Sequence, residues 1–208
     1  PGILLLHQQF GIDPSIRLIA ELFAAKNYTV FVPDLFWREM PGCELSCKKN
    51  NDLTVAEQLL KNFNIDKGLN DITSCLKWLR ETPQCNGLVS TIGYGIGANL
   101  SYLAGLWLDI ESSVCYDFYE SSFFQENDTF IRRPMLIHLS KPTYTYLVDN
   151  EKAKFIEKVN NIKLRLYDTC QNNFFRMSDK NYNSDYYAQA ETLTLEHVDA
   201  AFKKPHST

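Results

Sequence analysis

No basic stripe runs through this chain of 208 residues, whose formal net charge is −4 at pH 7. That balance excludes a general binder of nucleic acid or other polyanions. Cysteines are few and scattered (Cys43, Cys47, Cys75, Cys85, Cys115 and Cys170), which argues against a disulfide scaffold and for a reduced, cytoplasmic setting. Cys43 and Cys47 stand close together, but no second Cys or His pair completes a metal site, so neither metal nor cofactor is expected. No hydrophobic run is long enough to cross a membrane. The apolar opening Pro1-Gly2-Ile3-Leu4-Leu5-Leu6 is short and has no basic residues ahead of it, so it is not read as a signal peptide. Repeats, low-complexity tracts and linkers are also missing. What remains is 45% hydrophobic and 13% aromatic, the make-up of one soluble globular domain with a sizeable core.

Apolar runs alternate with segments of helical period along the whole chain. Strands are expected at 3–7, 28–32, 88–94, 113–117, 135–139 and 163–167. Helices are expected at 14–26, 54–63, 66–80, 97–108, 151–160 and 184–202, with 41–51 a polar loop. In the third helix Leu69, Ile72, Leu76 and Leu79 recur at helical spacing. Strand–helix alternation of this kind predicts an α/β fold with a mainly parallel sheet and helices on both faces.

The segment Leu88 to Ala98, reading LVSTIGYGIGA, has the layout of a strand, a tight turn and a helix. A G-x-S-x-G turn between strand and helix lifts a nucleophile above the sheet in α/β-hydrolases. Here the turn reads Gly93-Tyr94-Gly95-Ile96-Gly97, with no side chain where the nucleophile should be.

Other stretches extend the likeness: Phe10-Gly11 followed by Ile16-Arg17, Pro33-Asp34-Leu35-Phe36-Trp37-Arg38, Gly93-Tyr94-x-x-Gly97, and Tyr167 followed by Asn172-Asn173-Phe174-Phe175-Arg176. On these residues the chain resembles the dienelactone hydrolase family of α/β-hydrolases from Leu4 to Phe202. The resemblance implies one or two further N-terminal strands, which this sequence does not contain. It also implies acyl transfer on cyclic enol-lactones and related esters, by a Cys or Ser nucleophile, a His base and an Asp that orients the base. Carried over position by position, the nucleophile falls on Gly95, the Asp on Thr143 and the His on Asn172. A Glu that pairs with the family's Cys falls on Gln8. A triad works as a unit; Asn172 accepts no proton near neutral pH, and Gly95 offers nothing to activate. The expectation is therefore a protein that has lost the family's chemistry.

What should survive is a pocket. The Ile96 N–H and an N–H from the Gln9–Phe10 loop would point into it, beside the N-terminus of the following helix. Arg176 matches a family arginine that contacts the substrate carboxylate. Trp37, Phe36, Tyr94, Phe174 and Phe175 would line apolar walls. The expected ligand is a small carboxylate or acyl compound, bound by a monomer or weak homodimer.

Alternative readings remain at this stage. Gly93-x-Gly95-x-x-Ala98 satisfies a dinucleotide fingerprint, with Asp117 as its acidic residue. A relocated hydrolytic site could pair Cys170 with His7, or hold a metal between His7, Asp117 and His138. The acidic stretch with Glu120, Glu126 and Asp128 and the Tyr-rich stretch 182–187 are candidate contact surfaces for a protein partner. His197 and His206 are expected to be bystanders.

Overall fold

Hydrophobic strands buried on both faces dictate the architecture. The computed structural model of the chain describes residues 1–119, 131, 133–150 and 161–203. In chain order the strands are β1 (Gly2–Leu6), β2 (Thr29–Phe31), β3 (Val89–Gly95), β4 (Ser113–Phe118), β5 (Met135–Ser140) and β6 (Ile162–Tyr167). They form one sheet in the order β2-β1-β3-β4-β5-β6, every pairing parallel. Parallel strands covered on both sides read as near-continuous apolar runs, and all five residues of β1 are buried.

Among the described residues six helices flank the sheet: α1 (Pro14–Ala24), α2 (Asn50–Asn62), α3 (Ile65–Glu81), α4 (Ile96–Trp107), α5 (Lys141–Asp149) and α6 (Ser184–Lys203). Alternation along β1 separates the two layers. Ile3 and Leu5 pack with Ile16, Ile19 and Phe23 of α1 and with Ala190 and Val198 of α6. Leu4 and Leu6 pack on the other face with Leu59 and Leu60 of α2, Ile72, Leu76 and Leu79 of α3, and Ile96 and Leu100 of α4. Burying one such Leu or Ile contributes about 1.5–3 kcal/mol.

Local signals set the helix starts. Asp13 caps α1 by accepting the Ile16 N–H at 3.0 Å, and Pro14 occupies the first turn, where no N–H is missed. Asn64 does the same for α3, accepting the Lys67 N–H at 2.9 Å. One element departs from expectation. Residues after β5, for which the sequence predicted no helix, turn straight into α5, with Pro142 in its first turn. The helix expected at 151–160, the acidic stretch 120–128 and His206 lie outside the described residues.

Candidate functional site

The strand-to-helix turn is built as the sequence implies. β3 ends on Gly95, α4 begins on Ile96, and Gly95 has φ 55° and ψ −115°. That region is sparsely populated for residues with a side chain and is held only where the surroundings enforce it. Close packing accounts for the flanking glycines. A Cβ on Gly93 would stand 2.0 Å from the Gly97 carbonyl oxygen, and one on Gly97 would stand 2.3 Å from that of Leu6. At Gly95 itself there is room: a Cβ would meet Gln8 Cβ at 3.4 Å and Gln9 Oε1 at 3.5 Å, ordinary contacts. The elbow is intact, and it carries no side chain.

Gln8 is buried beside it, and its Oε1 has no hydrogen-bond partner. The Gln9–Phe10 turn is closed by the Gly11 N–H donating to Gln8 O at 3.2 Å. Tertiary folding also joins the other two triad positions. Thr143, in the first turn of α5, donates its hydroxyl to Asn172 Oδ1 at 3.2 Å. Ser140 Oγ lies 2.8 Å from the same Asn172 oxygen and 2.9 Å from Asp117 Oδ1. Thr143 and Asn172 thus meet as two neutral side chains.

Asp117, near the end of β4, joins the same cluster. Its backbone has φ 47°, and its Oδ1 accepts the Ser140 N–H at 2.7 Å while Oδ2 is buried without a partner. Burial raises its pKa to about 6, opposed by the hydrogen bonds from Ser140. This placement argues against the dinucleotide reading, which needs an accessible carboxylate for a ribose; Asp117 is 6% exposed. The fingerprint glycines, moreover, lie on a central strand and not in the first βαβ unit.

Relocated catalysis fares no better. His7 Nδ1 donates to Gln8 O at 2.7 Å and Nε2 accepts the Leu35 N–H at 2.9 Å, so both ring nitrogens are engaged. Burial lowers its pKa. Cys170 is buried, and desolvation raises its thiol to about 11. A protonated, enclosed thiol is a poor nucleophile. His138, expected at the sheet edge, sits inside β5, with Nδ1 2.9 Å from Tyr167 Oη and Nε2 3.0 Å from Thr194 Oγ1. Among the described residues no group of His, Cys, Asp and Glu could hold a metal.

Three expected ligand contacts are corrected. The Arg176 guanidinium is 1% exposed, paired with Asp13 and stacked 3.8 Å from the Phe10 ring centroid. A guanidinium committed to a buried carboxylate is a staple between α1 and the 172–183 loop, not an open clamp. Trp37 is half exposed, donating Nε1–H to Asp71 at 3.2 Å. Tyr94 faces the core, stacked on Tyr116 at 4.6 Å and packed on Phe175 at 4.8 Å. Phe36 and Phe174 are core residues too. His197, as expected, is structural, its Nε2 3.3 Å from Pro134 O.

A pocket of about 750 Å³ opens at the Gln9–Phe10 turn, and none of the elbow residues 93–97 is among its lining residues. Gln9, Phe10, Cys47 and Asn173 line it, as do residues the sequence did not single out: Lys48, Leu53 and the run Met177-Ser178-Asp179-Lys180-Asn181. Nothing in spacing or periodicity marked them, because three separate loops converge there.

A parallel sheet with a strained strand-to-helix elbow, an adjoining turn and a third cluster at the sheet's carboxyl edge defines an α/β-hydrolase scaffold. The chain belongs to the dienelactone hydrolase family, which it matches over residues 1–205. It is 26% identical to carboxymethylenebutenolidase 1 of Cupriavidus pinatubonensis over 202 residues, covering 94% of this chain and 84% of that protein. A carboxymethylenebutenolidase of Pseudomonas sp. strain P51 is 24% identical over 202 residues, covering 94% of this chain and 83% of the relative. Among solved structures, a dienelactone hydrolase-like promiscuous phosphotriesterase from metagenomic libraries superposes with TM-score 0.72 at 13% identity, covering 97% of this chain and 86% of that one. Thermogutta terrifontis esterase 2 superposes with TM-score 0.63 at 13% identity, covering 99% and 85%.

Proposed function

We propose that this chain binds a small carboxylate or acyl compound in the pocket at the Gln9–Phe10 turn and does not hydrolyse it. The observation that carries this reading is the elbow itself: Gly95 holds the nucleophile's backbone angles, φ 55° and ψ −115°, with no atom to attack. The Thr143–Asn172 pair supports it, since neither side chain takes a proton near neutral pH. Backbone donors do not depend on the triad, so the Ile96 N–H and the Gln9–Phe10 turn remain candidates to receive a carbonyl or carboxylate oxygen. The relatives' name, carboxymethylenebutenolidase, supplies the ligand class in which to search first.

Turnover of a dienelactone and of p-nitrophenyl acetate tests this, comparing the native chain with a Gly95→Cys, Thr143→Asp, Asn172→His variant. The native chain should stay at background while the variant gains turnover. Native turnover above background overturns the reading; an inert variant beside an inert native chain counts against the assignment of positions.

A further inference from the structure

The pocket at the Gln9–Phe10 turn carries two cationic residues. Lys48 and Lys180 both line it, on the loop before α2 and the loop before α6. Among the described residues neither ammonium forms an ion pair; every cation that does is another residue. The one carboxylate among the lining residues, Asp179, is hydrogen-bonded to two other lining residues. Its Oδ1 accepts the Asn181 N–H at 2.9 Å, and its Oδ2 accepts from Asn173 Nδ2 at 3.2 Å. Phe10, Leu53 and Met177 give the same cavity an apolar side. Meanwhile Arg176, whose planar fork suits a carboxylate, is neutralised by Asp13.

We infer that the pocket takes a small phosphorylated molecule, its apolar body against Phe10, Leu53 and Met177 and its dianionic head at Lys48 and Lys180. Two ammonium groups act as point charges that suit a tetrahedral dianion, and they lack the bidentate geometry that favours a planar carboxylate. The inference rests on the ligand-binding half of the reading above, replaces its carboxylate or acyl head with a phosphate, and is independent of whether the protein is inert.

Isothermal titration of the native chain with phenyl phosphate, phenylacetate and phenylacetamide separates the cases. Phenyl phosphate should bind tightest, with affinity falling as salt rises. Lys48→Met with Lys180→Met should weaken phenyl phosphate by about tenfold and leave phenylacetamide within about twofold, as expected for lost charge-assisted contacts. Phenylacetate binding as well as phenyl phosphate, with the double variant unchanged, overturns the head-group assignment and leaves the carboxylate or acyl reading standing. No heat with any of the three at millimolar concentration overturns both.

Discussion

Gly95 combines two facts that act in opposite directions on a substitution. There is space for a Cβ, with Gln8 Cβ at 3.4 Å and Gln9 Oε1 at 3.5 Å. The backbone nevertheless stands at φ 55°, where an L side chain is strained by about 1–3 kcal/mol. Gly95→Ala should therefore destabilise the protein by about 1–2 kcal/mol without disturbing the fold, as read from urea unfolding midpoints and an unchanged circular dichroism spectrum. A stability equal to or above native would show that the elbow holds no strain. Glycine meets that conformation without the Cβ penalty.

Among the elements, the contact that fixes α1 against the 172–183 loop is the Arg176–Asp13 pair. Both side chains are almost fully buried, and Asp13 also caps α1 through the Ile16 N–H. Removing one partner of a buried ion pair strands the other charge, at a cost of about 3–5 kcal/mol. Arg176→Met should lose that much. Adding Asp13→Asn, which keeps a capping oxygen, should recover part of it because no lone charge remains buried. Additive losses in this double-mutant cycle would show that the two groups do not depend on each other. The pair also explains why Arg176 was misread from sequence: its place matched a ligand contact, while its partner lies far away in the chain.

At the scale of the whole molecule, two buried groups set opposing pH dependences. His138 has its pKa lowered to about 3 by burial, from an ordinary 6.5. The unfolded chain binds a proton that the folded chain refuses, so stability rises from about pH 3 to 6.5 and is fully present above that. Asp117 behaves oppositely. Its pKa is raised to about 6 from 3.8, so the folded chain keeps the proton longer, and stability falls as pH rises through that window. Between pH 4 and 6 the two slopes offset one another. Asp117→Asn removes the falling arm, so stability should climb more steeply from pH 4 to 7 than in the native chain, by on the order of 2 kcal/mol. Parallel urea-midpoint curves for the two proteins would refute the assignment of the carboxyl.

Much of this protein was legible in the sequence because the signals were local. Strand and helix periods, the Asp13-Pro14 helix start and the glycines at 93, 95 and 97 depend on neighbours a few residues away, and the α/β class follows from their alternation. The Gly95 turn was legible as a strand–turn–helix, whereas the Thr143–Asn172 contact joins residues 29 apart in the chain. Tertiary structure decided which polar groups are spent. His7 is consumed by Leu35 and Gln8, His138 by Tyr167 and Thr194, and the Nη2 of Arg176 by Asp13. It also decided which loops meet around the pocket, bringing Lys48 and Lys180 to one cavity. The physical reason is common to both: a side chain's burial and partners depend on residues distant in sequence, whereas backbone periodicity and turn sterics are set within a single turn of chain.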